Sequence, residues 1–328
     1  MNDEDQNSEI AVEQDRIAVE KKVMAALLLL MGSAEEQTIA AAAAGTALIP
    51  TARNVIKGNR SIHQPGFAPT LAWGMTAAWL IGQMRLLADF QQVANQRAIP
   101  IIGTRNTILR TADLTQLPPW IENVAGGSRE IEARHIRNLQ IAENQVDIML
   151  PGLENRLAVL QVAPPAPGQP IPVNGVGGQH IANDVQDAQE TIREAFDDSG
   201  LSPDKPFTAE TTIEANTMFH YEKGAEQAEE SPQISRRLWG YYYATIDDNR
   251  RTILCTTLNG TTLPKEDPFW ETFTPPCHFG CRSWLRRIWL TDVSTGPKIV
   301  VPRWTDDQRN AFAQQKVNFL RYMGGVWD

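Results

Sequence analysis

The sequence predicts an α+β protein, with a largely helical N-terminal region followed by a small mixed α+β domain. Three observations carry this expectation. Apolar residues recur at helical spacings through most of the first 160 positions. The stretch APPAPGQPIPVNGVGG at 163–178 then holds five prolines and four glycines, a density at which no regular core element is expected. Beyond it, helical patterns alternate with a strand-like run, LWGYYYATI, at 238–246. A chain of 328 residues has room for two domains, each with its own apolar core. The divisions expected are a helical, partner-binding region over 1–162, a Pro/Gly-rich linker over 163–178, an α+β domain over 179–303 and a helical tail over 304–328.

In the first region, Ile10, Ile17 and Met24 recur every seven residues and are joined by Val23, Leu27, Leu28, Leu30 and Met31. This gives a long helix with a broad apolar face, expected to end at Gly32-Ser33. Glu35 to Ala44 reads as a second, Ala-rich helix stopped by Gly45 and Pro50. After Pro65 and Pro69, the run from Leu71 to Asn95 places Trp73, Ala77, Leu80, Met84, Leu87 and Gln91 on one face. Ser128 opens a further helix, with Pro151-Gly152 expected to interrupt it. His63 and His135 read as structural or exposed. In the second half, Ile181–Phe196 and Thr208–Glu230 read as helices and Asp247-Asp248-Asn249 as a turn. Short strands or hairpins are expected at 253–263 and 284–301, and helix returns from Thr305 to Tyr322.

Composition excludes several classes. Thirty Lys and Arg against 39 Asp and Glu give a net charge of −9, so indiscriminate nucleic-acid binding is not expected. Mean hydropathy is −0.32, and the apolar run at Val23–Met31 is too short to span a bilayer. The acidic start, MNDEDQNSEIAVEQD, is the reverse of a secretory leader, so a reducing cytoplasm is expected. Three cysteines do not make a disulfide scaffold. No phosphate-binding loop, dinucleotide fingerprint, zinc-protease helix or esterase elbow occurs.

The sharpest chemical feature is Cys255 with Cys277-His278-x-x-Cys281-Arg282. Thiolates and imidazole are natural zinc ligands, and Cys255, His278 and Cys281 can supply three of four tetrahedral positions. Buried free thiols beside a packed histidine, or a disulfide, fit the same residues. Pro275-Pro276 presents this loop rigidly, and Gly260 marks a tight turn. Arg282, Arg286, Arg287, Lys298 and Arg303, interleaved with Trp284, Trp289 and Trp304, make 271–303 locally basic. That suits contact with DNA or an acidic partner, or a set of arginine stems covering aromatic rings. Glu222, Glu226, Glu229 and Glu230 read as a solvated acidic face.

Three stretches of the C-terminal half are similar to a known family: TTIEANTMFHYEKG at 211–224, LWGYYYATIDDNRRTILCTTLNG at 238–260 and PPCHFGCRS at 275–283. Together they resemble the head morphogenesis domain of tailed-phage minor capsid proteins, the Mu F-like group. Trp239, Asp248, Arg250 or Arg251, Cys255, Gly260, Pro275, Pro276, His278, Cys281 and Arg282 fall on the family pattern in order. Thr212-Ile213 stands where the family often has Arg-Thr. Cys277 occupies a variable position, which makes it the least expected of the three cysteines as ligand or core residue. The resemblance covers roughly 180–290 and makes 179–303 a head-morphogenesis-like domain.

It implies a minor capsid protein at the portal vertex or head interior, assembled in the host cytoplasm and aiding head assembly and DNA packaging or delivery. Implied partners are the portal protein, other head proteins, packaged double-stranded DNA and further copies of the chain, with no membrane. It also implies a protein without catalytic residues, since enzymatic cargo in such families follows the domain and only a short tail follows Leu290. The alternatives are a metal-dependent nuclease or nucleic-acid-processing protein using His278 and the cysteines, and an assembly chaperone lost before maturation.

Overall fold

A computed structural model describes residues 3–44, 47–57, 66–95, 127–158, 171–173, 180–182, 185–290 and 297–323. The N-terminal region is largely helical and the C-terminal region mixes short helices with a small sheet, as the sequence predicts. The helices of the first region are α1 (Asp3–Ala43), α2 (Leu48–Lys57), α3 (Phe67–Asn95) and α4 (Gly127–Ala158). A two-stranded ribbon follows, β1 (Ile171–Val173) and β2 (His180–Ala182), then α5 (Val185–Ser199) and α6 (Phe207–Glu229). The rest is α7 (Pro232–Ser235), β3 (Leu238–Thr245), α8 (Ile253–Leu258), β4 (Thr262–Pro264), α9 (Phe269–Phe273), β5 (Ser283–Trp289) and α10 (Asp306–Tyr322). His63 lies outside the described residues, as does most of 163–178. Within that stretch, β1 does form a strand despite Pro172, pairing antiparallel with β2, because a two-stranded ribbon always leaves one edge that needs no donor.

Two breaks expected from sequence do not occur. α1 runs through Gly32-Ser33, where Met31 and Ala34 are both buried and Ser33 accepts a hydrogen bond from Gln37. One glycine costs a helix only about 1 kcal/mol, less than burying the side chains on either side returns. α4 likewise crosses Pro151-Gly152. Both residues are exposed, while Leu150, Leu153 and Leu157 are buried and hold the turns around them. The buried row of α1 is Val19, Val23, Leu27 and Met31, a four-residue step, with Ile17 and Met24 only half-buried beside it.

The chain divides into two compact units. One comprises 21–73 and 136–213 and is packed from helices. Its core includes Leu27 and Met31 of α1, Ala52 and Ile56 of α2, Leu71 of α3, Leu153 of α4 and Phe196 of α5. α5 closes on Gly200, whose positive φ lets Leu201 N–H reach back to the Phe196 carbonyl.

The other unit comprises 1–20, 74–135 and 214–328. In it α3 and α6 cross with their backbones in contact. A Cβ on Gly82 would stand 1.9 Å from the Tyr221 carbonyl oxygen, and one on Gly224 would stand 1.9 Å from the Trp79 carbonyl oxygen. The two glycines face each other's helix reciprocally, and Trp79 Nε1 donates to Gln227 beside the crossing. The sheet has the order β4-β3-β5, antiparallel throughout, with Tyr243 opposite Leu285. The β3–β5 register has an irregularity between Leu238 and Gly240, and on the β4 side Gly240 lies against the Leu263 carbonyl, too close for any Cβ. On one face sit Tyr243, Leu254, Leu258, Leu263, Trp270, Phe273, Cys277 and Leu285, covered by Trp304 and Phe312.

The segment 253–258, expected as strand, is the helix α8: Thr252 caps it by accepting from Cys255 N–H, and ILCTTL buries Leu254, Cys255 and Leu258 on one side. Gly260 therefore ends a helix rather than a strand, at φ +85°, donating to the Tyr243 carbonyl.

Gly224→Ala is expected to destabilise the protein by at least about 2 kcal/mol, because the methyl meets backbone that cannot rotate away. Gly152→Ala meets nothing within 4 Å and is expected to be neutral or to stabilise by up to about 1 kcal/mol, from helix propensity alone. Paired thermal melts of the two variants check this.

Candidate metal centre

Three segments converge on one buried point. α8 presents Cys255 from its first turn. The loop between α9 and β5 carries His278 and Cys281, and Ser283 opens β5 beside them. This loop leaves α9 through Pro275-Pro276, joined by a cis peptide bond, and turns back at Gly280, φ +64°, where Cys281 N–H donates to the His278 carbonyl. α10 clamps it from outside. Lys316, buried in the apolar face of that helix, donates from Nζ to the carbonyls of Thr274 and Pro276 at 2.6 Å each, and Phe279 packs edge-on to Phe319 and Tyr322.

Cys255, His278 and Cys281 are 3%, 5% and 2% exposed, and their ligand atoms all lie within 4.8 Å of one another. The Cys255 and Cys281 sulfurs are 3.9 Å apart. Two thiolates on one tetrahedral zinc stand about 3.8 Å apart, given Zn–S bonds of about 2.3 Å. His278 Nδ1–H donates to the Phe279 carbonyl at 2.7 Å, which leaves Nε2 facing Cys255 Sγ at 2.9 Å and Thr252 Oγ1 at 3.0 Å. A backbone partner on the far nitrogen is the usual device for orienting a metal-binding histidine. The Nε2–Sγ spacing is a hydrogen-bond distance, so the pair opens by about 0.6 Å to share an ion. Ser283 Oγ donates to Cys255 Sγ at 3.2 Å. The donor set therefore fits zinc, with three protein ligands and a fourth position bordered by hydroxyls.

The electrostatics agree with a site that holds negative sulfur. Burial pushes the Cys281 thiol up, but hydrogen bonds from Cys255 and His278, with the imidazolium charge, outweigh it and hold the thiol well below its ordinary value. Hydrogen bonding to Cys281, then burial, pushes Cys255 far up, so Cys255 is the donor of the pair. Burial lowers the His278 imidazole, yet the bond to Cys281, its charge and the Phe279 carbonyl carry it upward on balance.

Cys277 is not part of this cluster, but it is a core residue, fully buried, with Tyr243 O–H donating to its sulfur at 3.7 Å. That corrects the sequence expectation, and the reason is steric: the loop must re-enter the core after the cis prolines, and a small apolar thiol fills that point. Burial pushes its thiol up to about 11. The expectation of a chain without catalytic residues is also corrected. Two thiols and an imidazole placed to share one metal ion form a site consistent with catalytic potential.

The other residues singled out in the sequence are dispersed. Asp248 lies in the turn after β3, accepts from Arg250 N–H and pairs with Arg282. Trp239 is half-buried, its carbonyl bound by Lys265 N–H. Arg282, Arg286, Arg287, Lys298 and Arg303 do not make one basic face. Arg282 is spent on Asp248, Arg286 lies over the Tyr242 ring, and only Lys298 and Arg303 are fully exposed.

Arg287 sits between two carboxylates, bound to Glu229 at 2.6 Å and Glu222 at 3.2 Å, with Tyr241 O–H donating to Glu229. Glu222 and Glu229 are thus buried rather than a solvated face, because the 222–229 turns of α6 lie against the sheet. Glu226 pairs instead with Lys223, and Glu230 is exposed.

Sequence reading missed Thr252, Ser283 and Lys316. Thr252, three residues before Cys255, carries a capping signal. Lys316 is legible only as a cation on the Phe312–Phe319 stripe. Nothing in the sequence marks Ser283. Among the described residues no helix is long and apolar enough to cross a membrane. No family model, no curated protein and no solved structure matches the chain.

Burial raises the Glu222 carboxyl to about 7, against the opposing pull of Arg287. A carboxyl raised in the folded state contributes stability that is full below its unfolded value, about 4.3, and is lost as pH rises through about 7. Glu222→Gln abolishes that titration. The stability of the wild type relative to this variant is expected to fall by roughly 3 kcal/mol between pH 4.5 and pH 8, and parallel denaturation curves across that range check it.

Proposed function

We propose that this protein holds a zinc ion at Cys255, His278 and Cys281, and that the centre serves metal-dependent processing of nucleic acid. The observation that carries the reading is the convergence of two sulfurs and a correctly oriented imidazole within 4.8 Å. A zinc ion with three protein ligands supplies Lewis-acid activation of water near neutral pH. Cys255 and Cys281 bind as thiolates, His278 binds through Nε2, and the Phe279 carbonyl fixes that tautomer. Thr252 and Ser283 place hydroxyls beside the ligands, suited to orienting a polar group at the fourth position. The loop that carries His278 and Cys281 reaches the surface between them, at exposed Phe279 and Gly280. Lys298 and Arg303, exposed on the same unit, are cations suited to phosphate contacts.

The purified chain is expected to carry stoichiometric zinc and to release it on acidification, because protons compete for both sulfurs and the imidazole. It is expected to cleave or remodel DNA in a metal-dependent way, with His278→Ala removing both metal and activity. Inactivity on single- and double-stranded DNA and RNA with zinc, manganese, cobalt and magnesium overturns the processing reading. Absence of bound metal overturns its basis.

A second reading has its own support: a minor head protein of a tailed phage, retained near the portal vertex or lost as an assembly chaperone. It is supported by contacts between two of the motif segments: Asp248 pairs with Arg282, and Cys255 meets His278 and Cys281. Portal, other head proteins, packaged double-stranded DNA and sister copies are the partners of this reading. Quantitative mass spectrometry of proheads and DNA-filled particles is expected to find the chain at low copy number in both. Presence in proheads alone selects the chaperone, and absence from both removes the reading.

A further inference from the structure

We infer that Cys255 and Cys281 are an oxidative modification site: a peroxide-class oxidant joins them in a disulfide and so expels the metal. The inference rests on the metal reading above and adds its regulation. Three features of the geometry select this pair. The two sulfurs are already 3.9 Å apart without being bonded. The third thiol is held away from them, since Cys277 donates toward the Phe273 carbonyl and accepts from Tyr243 within the aromatic core. The loop bearing Cys281 reaches the surface within two residues of it, since Phe279 and Gly280 are exposed, and this gives a small oxidant its approach.

The chemistry balances with hydrogen peroxide as the oxidant. One sulfur attacks a peroxide oxygen: the S–O bond forms, the O–O bond breaks, and the departing oxygen leaves as water after taking a proton. The second sulfur then attacks the resulting sulfenic sulfur. The S–S bond forms, the S–O bond breaks, and the departing hydroxide takes a proton from solvent and leaves as a second water. The two thiolates give up two electrons in total and the peroxide accepts them, while zinc keeps its charge. The product retains only His278 as a good ligand, and one imidazole does not hold zinc against water.

The test uses the full zinc-loaded chain, titrated with hydrogen peroxide and followed by a colorimetric zinc indicator and by intact and peptide mass spectrometry. Zinc is expected to appear in solution in step with the loss of two hydrogens in mass, with the link mapped between the Cys255 and Cys281 peptides, and dithiothreitol with added zinc is expected to restore the starting state. Cys277→Ala, which leaves the pair intact, is expected to behave as the wild type. Should that variant fold poorly, alkylation mapping of Cys277 in the oxidised wild type gives the same information. A link to Cys277, oxidation to sulfinic acid without a link, or zinc retained at full oxidation overturns the inference while leaving the metal reading standing. A chain that never binds zinc removes the metal reading first, and a disulfide formed in that chain would have no metal to expel.

Discussion

The loop between α9 and β5 has no strand or helix partner of its own, yet it carries buried polar atoms into the interior of a small unit. Buried donors and acceptors without partners cost about 1–3 kcal/mol each, so the partners that this loop's buried carbonyls and imidazole find elsewhere in the unit are what hold it in place. Lys316 donates to the carbonyls of Thr274 and Pro276, the Phe279 carbonyl accepts from the far nitrogen of His278, and Cys255 Sγ lies 2.9 Å from the near one. The contact of His278 and Cys281 with Cys255 is the point at which α8, the loop and β5 are joined. A metal ion held there by Cys255, His278 and Cys281 would strengthen the same junction.

The remainder of the unit is arranged to hold that junction still. The aromatic layer of Tyr243, Trp270, Phe273 and Trp304 fixes the sheet and α9 on one side. α10 closes the other side, anchored to α6 through Phe319 and Met323 against Ala215 and Phe219. α6 is held in turn by its backbone crossing with α3 and by the buried Glu222–Arg287–Glu229 group. What reads in the sequence as a helical C-terminal tail is thus a clamp on the candidate centre, and the arginine placed on a binding surface is an internal tie.

Helix identity and the mixed character of the second half are legible because they rest on local periodicity: α5, α6, β3 and α10 all appear where the spacing of apolar residues places them. The misreadings occur where tertiary burial overrides local breakers, at Gly32-Ser33 and Pro151-Gly152, and where a capping threonine turns an apparent strand into α8. Within the site, cysteine and histidine are visible because few residues share their chemistry. The partners that orient them are backbone carbonyls and hydroxyls, which every sequence has in abundance. Lys316 stands about forty residues from the carbonyls it binds, so only the folded chain reveals the contact. The glycine crossing of α3 and α6 is equally silent, since neither Gly82 nor Gly224 breaks its helix.

X-ray absorption spectroscopy at the zinc edge on the purified chain tests the central claim most directly. The account predicts a first shell of two sulfurs at about 2.3 Å and one imidazole nitrogen at about 2.0–2.1 Å, with a light atom completing the set, and loss of one sulfur in Cys281→Ser. A shell of oxygen and nitrogen alone, or one unchanged by that substitution, would place the metal elsewhere and contradict the account.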